Sequence, residues 1–256
     1  GIPMDYHHGK FVWFEHLCAD IPKAIAFYDA LFGWRTATVE IPDSAPYPMI
    51  HHGGHGIGGF RESPAGTAMR WVSYLSVPDI DAAFRDAIAA GAKPLMPPVE
   101  YGSVGTGAMI ADPTGAEFVI WTSTRGDPPD VAQAAMGDLF WNELVTTDVT
   151  KALAFYERAF GFTSEAVHAS PTGPYYLLRK NGQPRAGLMR TPQPADGSAW
   201  LPYVRVADCD ASAAKAQSLG ARIARPSRDV PGIGRFTVLT DPLGAAMAML
   251  CGQPAT

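Results

Sequence analysis

The sequence predicts an α+β fold of four tandem βαβββ units, and three observations support this prediction. The segment FYDALFG at residues 27–33 recurs as FYERAFG at residues 155–161. Downstream, DPTGA at residues 112–116 recurs as DPLGA at residues 241–245. Within each copy, the hydrophobic periodicity indicates a strand, a helix and three strands, twice over. The chain is therefore two copies of one unit, and each copy is itself a pair of βαβββ units.

The repeat places the first half at residues 11–122 and the second half at residues 138–252. Residues 123–137 are predicted to form a linker, because RGDPP at residues 125–129 combines glycine and prolines, which interrupt helices and strands alike. Residues 1–10 precede the first predicted strand, and we expect them to form a loose N-terminal segment.

The first βαβββ unit shows how each element is predicted. Aromatic and β-branched residues alternate with others over residues 11–19, which is typical of a strand. Asp20 can cap a helix, because its side chain can accept hydrogen bonds from free backbone N–H groups, and Gly33 can end that helix. Between them, an apolar helix face consists of Ala24, Phe27, Tyr28, Leu31 and Phe32. Three short strands are predicted next, at residues 36–41, 47–51 and 57–61.

The composition is typical of a globular protein with a hydrophobic core. Hydrophobic residues make up 47% of the chain, charged residues 18%, and the formal net charge is -5. A net negative charge argues against nucleic acid or an anionic membrane as a partner. The three cysteines have no CxxC spacing and are predicted to be reduced thiols in a cytoplasmic protein. We expect a monomer or a homodimer.

These motifs are similar to those of the vicinal-oxygen-chelate superfamily, which includes glyoxalase I, bleomycin-binding proteins and extradiol dioxygenases. The resemblance is carried in both halves by the FYxxxFG helix and by the DPxGA turn that leads into an apolar strand. The WxEL start looks most like the glyoxalase-related "hydroxylase" or 27-kDa-antigen-like branch. The resemblance implies that the units pair into two half-barrel cups, with helices outside and the ligand on the concave side.

The resemblance also implies where metal ligands would stand, on the first and last strands of the units. This sequence departs from that pattern, because none of the matching positions holds a His, Gln or Glu. They are Trp13, Val72, Val119, Trp141, Leu201 and Ala248. We therefore expect neither standard glyoxalase chemistry nor ring-cleaving dioxygenation, since both need a Lewis acid with open coordination positions.

Polar residues on the inward face are the candidates for catalysis. Residues two apart on a strand share a face, which directs Glu15 and Tyr74 into the first cup. If the first and last strands pair antiparallel, Glu117 joins them. Glu143 and Tyr203 occupy the matching positions of the second cup. Three interpretations stay open: a Glu–Tyr hydrogen bond that closes the barrel seam, contact with the substrate, or binding of a divalent cation.

Further residues are candidates for binding a ligand or a metal. Aromatic side chains could stack on a planar ligand or could simply fill the core, and the ligand-binding candidates are Trp13, Trp71, Trp141, Trp200 and Met189. No cofactor is required by these residues. A divalent metal is the one cofactor that they allow, and its weak candidate ligands are Glu15, Glu117 and His55. His55 closes the HHGGH segment of a predicted hairpin, and His16 is expected to be a packed core residue.

The sequence therefore favours binding of a small planar or apolar metabolite in a cup, in a lyase-, isomerase- or hydroxylase-like protein. One alternative is a non-catalytic binding or resistance protein. Another is a metal-dependent dioxygenase with a relocated site. Whether the chain is an enzyme stays open at this point. The first cup, which is the more polar, is the better candidate for chemistry.

Overall fold

The computed structural model describes residues 5–252 and confirms the predicted α+β fold of tandem βαβββ units. Its first half contains β1 (Phe11–Cys18), α1 (Ile21–Phe32), β2 (Arg35–Val39), β3 (Tyr47–His52), β4 (His55–Glu62), β5 (Arg70–Ser76), α2 (Ile80–Ala89), β6 (Lys93–Tyr101), β7 (Gly105–Ala111) and β8 (Glu117–Ser123). Its second half contains β9 (Leu139–Thr146), α3 (Val149–Phe160), β10 (Thr163–Ser170), β11 (Gly173–Lys180), β12 (Gln183–Arg190), β13 (Ala199–Arg205), α4 (Cys209–Ser218), β14 (Arg222–Val230), β15 (Gly234–Thr240) and β16 (Ala246–Gly252).

Each half forms one curled eight-stranded sheet. The strand orders are β2-β3-β4-β1-β5-β8-β7-β6 and β10-β11-β12-β9-β13-β16-β15-β14. The condition under which Glu117 would join Glu15 and Tyr74, antiparallel pairing of the first and last strands of a unit, is not met. β1 runs parallel to β4, and β5 runs parallel to β8, while the antiparallel contact joins the two units through β1 and β5. The helix between the first two strands of a unit makes this parallel return possible.

The first helix begins where the sequence predicts, and all four helices are capped in the same way. Asp20, Asp79, Asp148 and Asp208 each accept a hydrogen bond from a backbone N–H group of the first helical turn. Gly33 ends α1 with a φ of 71°, a left-handed conformation that only glycine adopts without strain.

The main core joins the two halves. Its largest cluster of buried side chains contains Phe27, Tyr28 and Trp71 from the first half and Tyr156 and Trp200 from the second. The helices lie on the convex side of each sheet, so the outer faces of the two sheets and all four helices share this core. His16 is fully buried there, as predicted. The concave faces are left to form the two cups.

The N-terminal segment differs from the prediction where it is described. Residues 1–4 lie outside the described residues, but Tyr6 Oη donates to the carbonyl of Ser123 at 2.8 Å, and Gly9 N donates to the carbonyl of Ser76 at 2.9 Å. The Nζ group of Lys10 donates to the carbonyl of Pro128 at 2.8 Å. This segment is therefore tied to the first sheet and to the linker rather than loose. None of the helices within residues 5–252 has the length and apolarity to cross a bilayer.

Candidate functional site

The concave side of the first sheet encloses a cavity of about 910 Å³, which we call cup 1. Its walls include the aromatic rings of Trp13, Tyr47, Tyr101 and Trp121. Part of its rim comes from residues 125–128 of the linker and from the loop between β2 and β3. A volume of this size suits a drug-sized or larger metabolite.

A buried carboxylate with a complete set of partners lies in the wall of cup 1. Glu15 is 3% exposed, and it accepts hydrogen bonds from Tyr47 Oη at 2.6 Å and from Tyr74 Oη at 3.0 Å. The Nε atom of Arg61 lies 3.1 Å from Glu15 Oε1 and forms an ion pair. Trp13 Nε1 donates to Tyr47 Oη at 3.1 Å. Both carboxylate oxygens therefore have donors, and the charge has a counterion.

Sheet register explains how these side chains meet. Glu15 on β1 lies opposite Val72 on β5 and opposite Gly59 on β4, so Tyr74 and Arg61, two residues further along those strands, face the same side. Gly59 is required for the arrangement, because a Cβ atom there would collide with the ring and hydroxyl of Tyr47.

The electrostatics of this cluster keep the tyrosines neutral and the arginine charged. Burial raises the pKa of Tyr47 and Tyr74 well above the usual tyrosine value, and the charge of Glu15 raises it further. Burial opposes the charge of Arg61, but the carboxylate of Glu15 together with Tyr74 and Tyr101 outweighs it, and the pKa of the guanidinium is raised. Tyr47 and Tyr74 therefore act as hydrogen-bond donors at any ordinary pH.

The second sheet encloses a smaller cavity of about 370 Å³, which we call cup 2. Two hydrogen bonds of cup 1 recur in cup 2. Tyr203 Oη donates to Glu143 at 3.0 Å, and Trp141 Nε1 donates to Tyr175 Oη at 3.1 Å. Met189 stands where cup 1 has Arg61. Burial raises the pKa of Glu143, although the charge of Arg225 and the tyrosine hydrogen bonds act in the opposite direction.

Several residues that the sequence predicted as site residues lie elsewhere. Glu117 is not in the wall of cup 1, and its carboxylate accepts from Arg70 Nε at 2.6 Å. The prediction that Trp71 and Trp200 bind a ligand is wrong. Both are buried on the convex side, where their Nε1 atoms donate at 3.1 Å to the hydroxyls of Tyr28 and Tyr156 respectively.

The histidine prediction is also not supported by the geometry. His55 is exposed at the β3–β4 turn, and its Nδ1 atom contacts the carbonyl of Gly53 at 3.2 Å. His52, in the same hairpin, lies 2.6 Å from Asp138 at the start of the second half. This hairpin therefore contacts the other half of the molecule, and its histidines are not among the residues that line either cup.

Four residues of the cup walls were missed at the level of sequence: Tyr47, Arg61, Tyr175 and Arg225. A signal for the tyrosines existed, because Tyr47 and Tyr175 occupy matching positions of the repeat, as do Gly59 and Gly187 beside them. The repeat gives no signal for the two arginines. When the two halves are aligned, Arg61 matches Met189 and Arg225 matches Met96.

The side chains present do not fit a divalent metal. Within residues 5–252 there is no group of three or more His, Cys, Asp or Glu side chains placed to bind one ion. The superfamily would place ligands at positions that include Trp13, Val119 and Leu201, and in this chain these side chains pack within small apolar clusters. At Glu15 the guanidinium of Arg61 already occupies the place of a cation, and a second positive charge there would be repelled.

The fold and the two cups define the class of protein, and the chain belongs to the glyoxalase/bleomycin resistance protein/dioxygenase superfamily. Residues 12–121 match the family described as "Glyoxalase-like domain". Residues 138–249 match "Glyoxalase/Bleomycin resistance protein/Dioxygenase superfamily". The resemblance to the vicinal-oxygen-chelate superfamily is thereby confirmed for both halves.

Curated proteins of Mycobacterium and Streptomyces are similar to this chain over nearly its whole length. The candidate glyoxylase CFP32 of Mycobacterium tuberculosis is 32% identical over 98% of this chain and 97% of its own length. The anthracycline biosynthesis protein DnrV of Streptomyces peucetius is 26% identical over 94% of this chain and 93% of its own length.

Solved structures show the same fold at low identity. The Mn(II)-bound glyoxalase from Novosphingobium aromaticivorans has a TM-score of 0.63 at 16% identity, over 95% of this chain and 82% of its own. A variant of homoprotocatechuate 2,3-dioxygenase from B. fuscum, in complex with HPCA, has a TM-score of 0.63 at 12% identity, over 100% of this chain and 74% of its own. These two neighbours bind a metal ion and a small molecule respectively.

Proposed function

We propose that this protein binds a flat, largely apolar metabolite in cup 1. The observation that carries the proposal is the cavity itself: about 910 Å³, walled by aromatic rings, with one buried polar cluster around Glu15. Ligand sites combine mostly apolar walls with a few oriented polar groups in this way. The indole of Trp13 and the phenol of Tyr101 offer faces on which a planar ring system can stack.

The size of cup 1 and the kinship with DnrV favour a polycyclic aromatic ligand. DnrV is by its name a protein of anthracycline biosynthesis, and anthracyclines contain fused flat rings. In cup 1 the guanidinium of Arg61 retains N–H groups beyond those that pair with Glu15, and its side chain is 38% exposed. Those N–H groups can donate to ring carbonyl or hydroxyl oxygens, and the aromatic walls cover the ring faces.

Binding is supported better than proton transfer. A general base needs a free lone pair within reach of the proton it removes. Both oxygens of Glu15 already accept from Tyr47, Tyr74 and Arg61, so the carboxylate is held as a fixed acceptor that orients its donors. The donor set does not fit a metal, so no step of the proposal passes through one.

A titration with 1,8-dihydroxyanthraquinone tests the proposal, with tryptophan fluorescence and calorimetry as readouts. The chain offers a matched pair of variants, since Trp13 and Trp141 make the same hydrogen bond in the two cups. Trp13→Leu should weaken binding by about tenfold or more, through lost stacking and lost apolar contact. Trp141→Leu should leave the affinity unchanged. Absence of saturable binding, or equal losses in the two variants, would contradict binding in cup 1.

Proton transfer at Glu15 is the second candidate, and one observation favours it: the carboxylate lies in the wall of cup 1, where it pairs with the guanidinium of Arg61. Deuterium incorporation into an aryl ketone such as 1-tetralone, in D2O, is the test. Exchange that the protein accelerates and that Glu15→Gln abolishes, while Glu143→Gln does not, would establish this role. Exchange at the uncatalysed rate with wild-type protein would exclude it for such ketones.

A further inference from the structure

Cup 2 differs from cup 1 in the sign of its charge. The ionisable residues in the wall of cup 1 include four carboxylates, Glu15, Glu40, Glu62 and Asp127, against the two arginines Arg61 and Arg125. The wall of cup 2 contains one carboxyl group, Glu143, against Arg225 and Arg228. The chain as a whole has a formal net charge of -5. The excess of positive charge in the wall of cup 2 is therefore local to this cavity.

The backbone of β14 is built to direct both arginines into cup 2. On a regular strand, residues three apart point to opposite faces. The pairing of β14 with β15 shifts register between Ile223 and Arg225 and again between Arg225 and Arg228. Such bulges turn side chains away from their regular direction, and here both guanidinium groups lie over the ring of Phe236, at 5.6 and 5.3 Å from its centroid.

The two guanidinium groups have no carboxylate partner within 4.0 Å among residues 5–252. The acidic groups nearest in sequence are engaged elsewhere: Asp229 and Asp210 both pair with Arg235, at 3.1 Å. Both guanidinium groups lie over the ring of Phe236, and no carboxylate of the described residues takes up their N–H groups. A planar guanidinium edge matches the two oxygens of a carboxylate.

The same bulges exist in the first half without the arginines. The strand β6 shifts register around Met96 and Val99, which match Arg225 and Arg228 in the repeat. The register shifts are therefore common to both halves, and only the second half has arginines at these positions. Met and Val, the residues at these positions of β6, are therefore suitable replacements for the two arginines of β14.

We propose that cup 2 is a second ligand site, which takes a flat apolar acid whose carboxylate is bound by Arg225 and Arg228. The apolar body of the ligand enters the cavity of about 370 Å³ between Trp141, Phe140 and Leu250. The anionic head stays at the rim, because β14 is an edge strand of the sheet. Burial raises the pKa of Glu143 at the floor of the cavity, and its carboxyl group accepts a hydrogen bond from Tyr203 Oη at 3.0 Å.

Calorimetry with 2-naphthoate and with 2-naphthamide tests the proposal on the wild-type protein. The two probes have the same shape, and only the first is charged. We expect naphthoate to bind at least about tenfold more tightly, with a preference that declines as NaCl is added. Equal affinities, or no saturable binding of naphthoate up to about 10 mM, the weak end of specific affinities, would overturn the proposal.

The double variant Arg225→Met/Arg228→Val, which introduces the residues of β6, should lose the preference for naphthoate. Arg222→Gln is the matched control, because it removes a charge from the same strand at an exposed position outside the cup. A preference that survives in the double variant, or that the control also loses, would overturn the proposal. Should the double variant not fold, the comparison of the two probes and its salt dependence still decide the matter. Neither probe result depends on the Trp13 experiment, so either cup can fail its test alone.

Discussion

Asp241 of the second half accepts a hydrogen bond from Tyr28 of the first, with 2.6 Å between Oδ2 and Oη. Asp112 of the first half accepts from Tyr156 of the second, also at 2.6 Å. The two sequence motifs that reveal the repeat, FYxxxFG and DPxGA, therefore bind one another across the two halves. The second oxygen of each aspartate accepts from backbone N–H groups of its own turn, which fixes its direction.

Replacing Asp241 should destabilise the protein more than replacing Asp112. Asp241 also lies 2.7 Å from Nε2 of the buried His16, whereas the repeat places Leu144 at the matching position of the second half. We expect Asp241→Asn to lower the free energy of unfolding by about 2–4 kcal/mol and Asp112→Asn by about 1–3 kcal/mol. Urea denaturation measures both. Equal losses would show that the His16 contact contributes nothing.

The same contacts give Asp241 a defined pH dependence. Burial raises the pKa of Asp241, but the hydrogen bond and charge of His16 and the Tyr28 hydroxyl outweigh it, and the pKa is lower than usual. A carboxyl group with a lowered folded-state pKa stabilises the fold above its unfolded pKa of about 4, and this contribution is lost as the pH falls through the folded value. Unfolding at pH 7 and at pH 3 should show a wild-type advantage over Asp241→Asn that shrinks in acid.

Glu143 should show the opposite pH dependence. Its folded-state pKa is raised by burial, so the neutral form stabilises the fold below about pH 4, and this contribution is lost as the pH rises through the folded value. Glu143→Gln cannot lose a proton. Its free energy of unfolding should therefore rise relative to wild type between pH 4 and pH 8, measured in urea. A difference that does not change with pH would mean that Glu143 is ionised in the fold.

Arg61 should stabilise the fold by pairing with the buried Glu15, whereas cup 2 has Met189 at the matching position. Arg61→Met introduces the residue that cup 2 has at this position, and it leaves Glu15 without its counterion. The variant should be less stable than wild type by about 1–3 kcal/mol in urea denaturation, because a buried carboxylate loses its counterion. Arg61→Lys, which keeps the charge, should recover part of the loss. An equal loss in both variants would point to packing rather than to the charge.

Replacing Trp71 should affect mainly the stability of the fold, and replacing Trp13 should affect mainly the binding of a ligand. Trp71 is buried against Tyr28 in the core that joins the halves, so Trp71→Phe should lower the free energy of unfolding by about 1–3 kcal/mol and leave the affinity for 1,8-dihydroxyanthraquinone unchanged. Trp13→Phe should weaken that affinity with a smaller effect on stability. Thermal unfolding and fluorescence titration together measure the pair. Loss of affinity in Trp71→Phe with intact stability would restore it as a ligand-binding residue.

The elements of the fold were predictable because their signals are local. The alternation over residues 11–19, the four capping aspartates and Gly33 each act within a few residues of chain, and the structure places β1, α1 and their caps accordingly. Inward alternation likewise directed Glu15 and Tyr74 to one face, and they form a hydrogen bond. Trp71 was assigned the wrong role because aromatic character alone does not distinguish a ligand wall from a core.

The sequence by itself determined the repeat, the order of the strands and helices, and the face that Glu15 and Tyr74 share, since periodicity and capping are properties of neighbouring residues. Only the tertiary structure decided which strands adjoin, that β1 and β4 run parallel, and that Arg61 and Tyr47 reach Glu15 from other strands. It also decided that the two arginines of β14 share one face. Strand partners and bulges depend on contacts between segments that are distant in the sequence. A given local pattern is compatible with several alternative strand pairings.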